Sequence, residues 1–460
     1  MNLNFRDETT SETKWNLQEI KFDDKECESP QEEEVDIGPS AIAGTKEKWS
    51  GWRSRHCRRR ILHLCFGLGL IAASVVIIVV VAVSKSPSIM DRTDGTDSDD
   101  DDSSSVFQGS KQIGSFKCFE SRSKLFQTID QYLEKESAAD TILSSYGPIR
   151  DWCVGGISNF SHLFDVSRQP AALTFNEPLT NWDVSNAQDM AAMFHSAADF
   201  DQDLSTWNVS KVKNMEKMFY GASSFDCAGK SLKAWDTSKV ETMKLMFYAA
   251  QSFVGQGLSN WAVGNVRDME GTFMRASSFD ADLNWRTSKV HTMYGMFEHA
   301  TRFNKTLNFD TGSVQDMRWM FNGAVNFQGR GIDAWNTTHV VHFLGMFYET
   351  SSLNVDLSSW NTHKATSMAY MFAKSAFNGD ISGWKLNHLA EGQSMFQNAS
   401  RFSQNLCSWG SSLLGKPVDL LDMFEGAIHC PSQETPIFNG TDMPGPFCFE
   451  CSNQSEYTGK

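Results

Sequence analysis

Apolar residues are distributed along this chain in three regimes. Residues 1–60 show little hydrophobic periodicity, Ile61–Val83 is an unbroken apolar run without a charge, and from residue 175 to about 427 apolar residues recur with a fixed period. The run ILHLCFGLGLIAASVVIIVVVAV carries no amphipathic stripe. At ~1.5 Å per helical residue its length matches a hydrocarbon core of ~30 Å, so it predicts one transmembrane helix from Ile61 to Val83.

The periodic region predicts something different. Trp recurs at 182, 207, 235, 261, 285, 335, 360, 384 and 409, with Phe309 in the missing slot, a mean step of about 25 residues. A Met-Phe pair follows each slot, as in Met193-Phe194, Met218-Phe219 and Met246-Phe247, with Thr272-Phe273 as the imperfect copy. One unit, Phe200–Ala222, reads FDQDLSTWNVSKVKNMEKMFYGA. Leu204, Trp207 and Val209 follow an L-x-x-L-x-L spacing, and Trp207 and Val209, two apart, share one face of a short strand. Ser210 resembles a helix N-cap, Val212, Met215, Met218 and Phe219 fall at helical spacing, and Gly221 suits a helix exit. In the next unit Ser238 and Glu241 form an S-x-x-E capping box. Each unit is therefore expected to be a strand, a turn and a short helix. One such unit cannot bury its apolar edge alone, but stacked units bury it continuously. The fold class expected is an α/β repeat: a solenoid of about ten 25-residue strand-turn-helix coils, plus the transmembrane helix and a disordered tail.

The repeated string F-x-x-x-L-x-x-W-[DN]-[VT]-S-x-V-x-x-M-x-x-M-F-x-x-A resembles the repeat of BspA-type leucine-rich-repeat surface proteins, found on bacterial and mycoplasma surfaces and in microbial eukaryotes such as diatoms. The resemblance covers about 250 residues. It implies a leucine-rich-repeat-like solenoid on a cell surface, used for adhesion or recognition, here in a membrane-anchored variant.

Charge sets the expected orientation. Residues 46–60 carry seven basic groups against Glu47, and residues 85–102 carry Lys85 and Arg92 against seven Asp. Basic flanks stay cytoplasmic. Residues 1–60 are thus expected to be a disordered cytoplasmic tail, 61–83 a signal anchor and 84–110 an acidic Ser/Asp-rich stalk. Beyond these, 111–174 form an N-terminal cap, 175–427 the repeats and 428–460 a Cys-containing C-terminal cap, on the extracellular or lumenal side of what is expected to be the plasma membrane. Cys57 and Cys65 at the boundary can take palmitoyl chains. Sequons at Asn159, Asn208, Asn304, Asn336, Asn398, Asn439 and Asn453 all fall after the apolar run.

Ser123–Glu136 predicts a cap helix with Leu125, Ile129, Tyr132 and Leu133 on one face, and Ile157–Phe164 a degenerate first coil. Of the cysteines beyond the apolar run, Cys407 and Cys430 lie in the final coil and are expected to pair, and Cys118 and Cys153 to clasp the N-terminal cap. Cys448 and Cys451 can form a local disulfide, half a zinc site or a redox pair. With no second C-x-x-C, a structural bond is the better reading. Cys227 is left over, buried or open to an intermolecular bond.

Composition narrows function by exclusion. The net charge of −15 and pI of about 5.2 disfavour nucleic acid as a partner. The chain holds no G-x-S-x-G, G-x-x-x-x-G-K-[ST], H-E-x-x-H or dinucleotide fingerprint, and His339 and His342 are its only close histidine pair on an expected helix. No catalytic residue, cofactor or resident metal is expected. The column after the Trp slot points off the core and holds Asp183, Asn208, Asp236, Asp310, Asn336 and Asn361, interrupted by Ala262, Arg286, Lys385 and Gly410. With coils about 4.8 Å apart, this ladder can meet glycan hydroxyls or calcium, or serve only as a soluble, turn-forming row. The expected function is non-catalytic: adhesion or recognition of an extracellular protein or glycan. The alternatives are a signalling co-receptor acting through residues 1–60 and a structural wall-associated glycoprotein.

Overall fold

The computed structural model describes residues 116–134, 139–437 and 445–451. The expected tail, apolar run and stalk, with Cys57, Cys65, Asn439 and Asn453, lie outside the described residues. The single-pass placement is corrected here. Among the described residues no helix is long and apolar enough to cross a membrane, and Ile61–Val83 is not among them.

The chain enters through helix α1 (Arg122–Leu133) and helix α2 (Ala139–Tyr146). Ser121 caps α1 by accepting the Lys124 N–H, and Leu125, Ile129 and Leu133 are buried. α1 begins one residue before the predicted cap helix. The first coil follows, and from there the chain winds into stacked coils. Single-residue parallel bridges join equivalent positions from Asn159 through Asp189, Asn214 and Thr242 to Glu391 and Asp419. The arginines of the cap close the first coil: Arg122 donates to the Ser161 carbonyl, and Arg168 to the carbonyls of His162 and Leu163. These oxygens would otherwise be orphaned at the end of a stack.

The strand-turn-helix coil is also corrected. Among the described residues there is no strand longer than a bridge, and inside the repeats the helices reduce to short 3-10 turns and the four-residue α3 (Gly410–Leu413). The V-x-x-M-x-x-M-F segment is a chain of turns in which N–H groups alternate in direction. Those of Met215, Lys217, Phe219 and Gly221 donate to carbonyls one coil on, at 2.7–3.3 Å. Those of Met218, Tyr220 and Ala222 close local turns onto Met215, Lys217 and Phe219. Lys217 and Gly221 sit at φ 55° and 68°, which no α-helix accommodates.

Spacing explains why. Packed helices need axes 8–10 Å apart. The Met-Phe phenylalanines of successive coils stack at 5.4–5.7 Å, for example Phe219 on Phe247 at 5.6 Å and Phe396 on Phe424 at 5.4 Å. A helix in every coil would force the coils apart on this side. Alternating turns instead let half the backbone donors bond along the stack. Left-handed backbone at non-glycine positions such as Lys217, Leu245 and Trp319 costs about 1–2 kcal/mol each, offset by those inter-coil bonds.

The core is built from columns. The Met-Phe phenylalanines stack in most coils on the F-x-x-x-L phenylalanines, as in Phe219–Phe225 at 3.8 Å, with Leu353 in that place after Phe347. On the opposite side the Trp slots stack at 5.8–6.4 Å from Trp235 to Trp409, with Phe309 in register. Here side chains supply most of the bonds between coils, beside backbone bonds such as Leu232 N–H to Gln256 O. Each indole Nε1–H donates to a carbonyl of the preceding coil, as Trp207 to Leu179 (3.1 Å), Trp335 to Leu307 (3.0 Å) and Trp409 to Ile381 (3.0 Å). Buried Thr287, Thr311, Thr337 and Thr362 donate to the following coil. Trp207 and Val209 do face inward together, but the turn bonds Trp207 N–H to Leu204 O and Val212 N–H to Val209 O end the strand at once.

Three disulfides lock the ends. Cys118 is bonded to Cys153. At the other end the pairing differs from the expected one: Cys407 is bonded to Cys451 and Cys430 to Cys448. The segment 445–451 folds back over the last coil, burying Phe447, with the Cys448 carbonyl accepting from Ser432 N–H. Each cysteine of the coil therefore meets one of the returning segment, and neither pair closes on itself.

A candidate recognition face

The expected ligand ladder is present as a row of exposed side chains, and each has a structural duty. Asp183, Asn208, Asp236, Asp310, Asn336 and Asn361 accept through Oδ1 the N–H two residues on, at 3.0–3.2 Å. These are Asx-turns, and they replace the helix caps expected at Ser210 and Ser238. Hydrogen bonds from the Ser238 hydroxyl and N–H hold the Asp236 carboxyl below its ordinary range, outweighing the opposing cost of burial. Among the described residues no group of three or more His, Cys, Asp or Glu is arranged to hold a metal ion. His339 donates from Nδ1 to the Gly312 carbonyl (2.9 Å), and His342 lies in the bridge column, so the pair does not converge.

The sequons differ in access. Asn208, Asn336 and Asn398 are exposed, Asn304 is half-buried with its Oδ1 held by the Gln328 N–H, and the Asn159 amide donates to Asp189 at 3.3 Å. Cys227 is fully buried, accepts the Leu204 N–H at 3.3 Å, and burial pushes its thiol up to about 11. That closes it to intermolecular bonding.

A different face gathers chemistry that the helical reading obscured. In D-M-x-x-M-F-x the Met and Phe side chains point inward, and the x positions look outward. They carry Tyr220, Tyr248, Tyr294, Tyr348 and Tyr370, five of the eight tyrosines of the chain, all half-buried. Trp319 joins them. Every other described tryptophan is buried in the core. His195, Tyr220 and Tyr248 stack at 4.7 and 4.3 Å, and Trp319 meets Tyr348 edge-on at 6.0 Å. Met274 and Leu245 fill the row between.

Fixed charges flank the rings. Arg318 is held by Asp316 (Nη2–Oδ2 2.7 Å) and lies 5.2 Å over Tyr294; Lys374 pairs with Glu349 and lies 5.0 Å from Tyr348; Lys244 pairs with Glu270 at 2.8 Å. Burial raises the phenols of Tyr220 and Tyr294, aided by Tyr248 and by Glu298 respectively, so both remain neutral donors at physiological pH. Burial likewise raises Glu298, whose Oε1 accepts from the Asn322 amide. Glycine makes room for this layer. A Cβ on Gly345, at φ 59°, would lie 2.1 Å from the Trp319 ring, so the indole rests on bare backbone and is fixed in orientation. The signal for this face in the sequence was the register of the tyrosines, all at outward x positions of one segment.

Three windows of the chain, residues 134–233, 226–330 and 305–409, match the family described as Mycoplasma protein of unknown function, DUF285. The chain belongs to this family. Together the DUF285 windows cover more than half of it and overlap end to end through the coil stack, including every residue of the aromatic row. No match was found among curated proteins.

Proposed function

We propose that this chain is a BspA-like recognition protein that binds a partner along the aromatic face of its DUF285 coils. One observation carries the reading: Tyr248, Tyr294, Arg318, Trp319 and Tyr348, with Met274 on the coil between Tyr248 and Tyr294, form a half-buried row along the stack. Tyr, Trp, Met and Arg are the residue types enriched in the energetic centres of interfaces. Their geometry suits a protein ligand better than a flat glycan platform. Tyr220 and Tyr248 cover one another's faces and present edges and hydroxyls outward. Ordered side chains lose little entropy on binding, because Gly345 seats Trp319 and Asp316 holds Arg318 in advance. The expected role is adhesion or recognition without chemistry on the ligand.

The test uses the full chain, multimerised, in saturation binding to intact cells, before and after mild proteolysis of the cell surface. Tyr294→Ala, Trp319→Ala and Tyr348→Ala should each weaken binding by about 1–3 kcal/mol, and proteolysis should abolish it. Undiminished binding by the triple variant would overturn the assignment of the face. Binding that survives proteolysis but is lost on deglycosylation would move the ligand to a glycan.

A further inference from the structure

A second surface of the repeats has the opposite character from the chain as a whole. From the Asx-turn position through the S-[KN]-V corner to the residue before the bridge column, four successive coils present Lys211, Lys213, Lys239, Arg267, Arg286 and Lys289. All six are exposed, and none lies within 4.0 Å of a described carboxylate. On the same corner of these coils the acidic residues are Asp236 and Glu241, so six cations face two anions in a chain of net charge −15. Random placement of charge on a soluble stack would pair or disperse these groups, and the usual reading of a lone surface lysine is solvation.

The corner is also ordered along the stack. The Lys211 ammonium donates to Asn186 Oδ1 at 2.6 Å and the Lys289 ammonium to Asn265 Oδ1 at 2.7 Å. Asn265 in turn donates to the Ser238 carbonyl at 2.7 Å. In this column Lys211, Asn265 and Lys289 each reach back to the coil before, with Lys239 between them. Their coils repeat at 5.8–6.4 Å on the adjoining Trp side. The result is a line of cations held parallel to the stack, interleaved with Ser and Asn groups that can meet hydroxyls.

We propose that this corner binds an extended anionic polysaccharide, one whose carboxylates or sulfates are separated by hydroxyl-bearing units. A linear ligand matches a linear row. A nucleic acid fits less well. Its charges recur every ~3.4 Å along a strand, closer than these coils, and no exposed aromatic ring on the corner offers the stacking that single strands use. This surface is separate from the aromatic row, and its test does not depend on a partner being found there.

The experiment measures binding of the full chain to heparin and to polygalacturonate, with duplex DNA as comparator, between about 50 and 200 mM salt. Expected is saturable polysaccharide binding that weakens steeply with salt. The variant Lys239→Glu/Arg267→Glu/Lys289→Glu should lose more than about tenfold in affinity, and the neutral set with Gln at the same positions should lose less. The control Lys230→Glu/Lys233→Glu/Arg330→Glu, elsewhere on the coils, should bind like the parent. Circular dichroism and thermal unfolding check that all three variants fold. The proposal is overturned if neither polysaccharide binds at the lowest salt, if the control set loses as much as the corner set, or if DNA binds at least as tightly.

Discussion

Replacing Trp335 by Phe probes what joins one coil to the next. Trp335 is 3% exposed, stacked between Phe309 at 6.2 Å and Trp360 at 6.3 Å, and its indole donates to the Leu307 carbonyl at 3.0 Å. Phenylalanine keeps the stack and removes the donor. The orphaned buried carbonyl costs about 1–3 kcal/mol, and the smaller ring about 1 kcal/mol in lost packing, so a loss of about 2–4 kcal/mol is expected. Because each coil touches only its neighbours, the loss should be local. Denaturant unfolding gives the magnitude, and hydrogen exchange should show faster opening at the coils of Leu307 and Trp335 than at Trp207. The chain holds an internal reference at Phe309, where no indole reaches the Leu283 carbonyl. A loss below about 0.5 kcal/mol, or exchange that speeds evenly along the stack, would refute the idea that indole donors hold this side together.

Two further substitutions test neighbouring parts of the argument. The Thr237 hydroxyl is buried without a partner, while the Thr337 hydroxyl donates to the Asn361 carbonyl at 3.0 Å. Thr237→Val should stabilise by about 1 kcal/mol and Thr337→Val should destabilise by about as much, read from paired unfolding curves. Asp226 accepts the Val254 N–H, yet burial raises its carboxyl, with Asp201 adding to the shift. A raised folded-state value means the ionised form is penalised at neutral pH, so the wild-type chain recovers this stability as pH falls through that value. Asp226→Asn keeps the acceptor, as Asn304 and Asn378 do at the same position. It should stabilise at pH 7 and lose its advantage in acid; an advantage that grows on acidification would contradict it.

Much of the fold could be read from residue types at fixed spacing, and the misreadings have a physical cause. Trp, Met and Phe columns are core wherever coils stack, whatever the backbone between them does. Val212, Met215, Met218 and Phe219 fall at helical spacing, but a chain of turns with left-handed residues at 217 and 221 places the same four side chains inward. Periodicity alone does not distinguish the two, because it reports which residues face inward and not the direction of the N–H groups. Coil spacing makes the distinction, and that is a property of the stack rather than of one unit. The cysteines show the same limit. Cys407 and Cys430 both lie in the last coil, and only the return of residues 445–451 across it decides their partners.

The two candidate faces differ for a related reason. The Asp/Asn row attracted attention because its residue type repeats, and it repeats because every coil needs the same Asx-turn. A binding surface has the converse requirement. Within this one chain the position after the Met-Phe pair holds His195, Tyr220, Tyr248, Met274, Glu298, Asn322 and Tyr348, while the Phe beside it is invariant from Phe194 to Phe424. The stack tolerates that variety because its inter-coil bonds on this side are backbone bonds, such as Phe219 N–H to Met246 O at 2.9 Å, which place no demand on the outward side chain. Such a scaffold separates what holds coils together from what they present. In a fold of this kind, uniform columns mark structural duty, and the columns free to differ from coil to coil are the ones the proposed recognition uses.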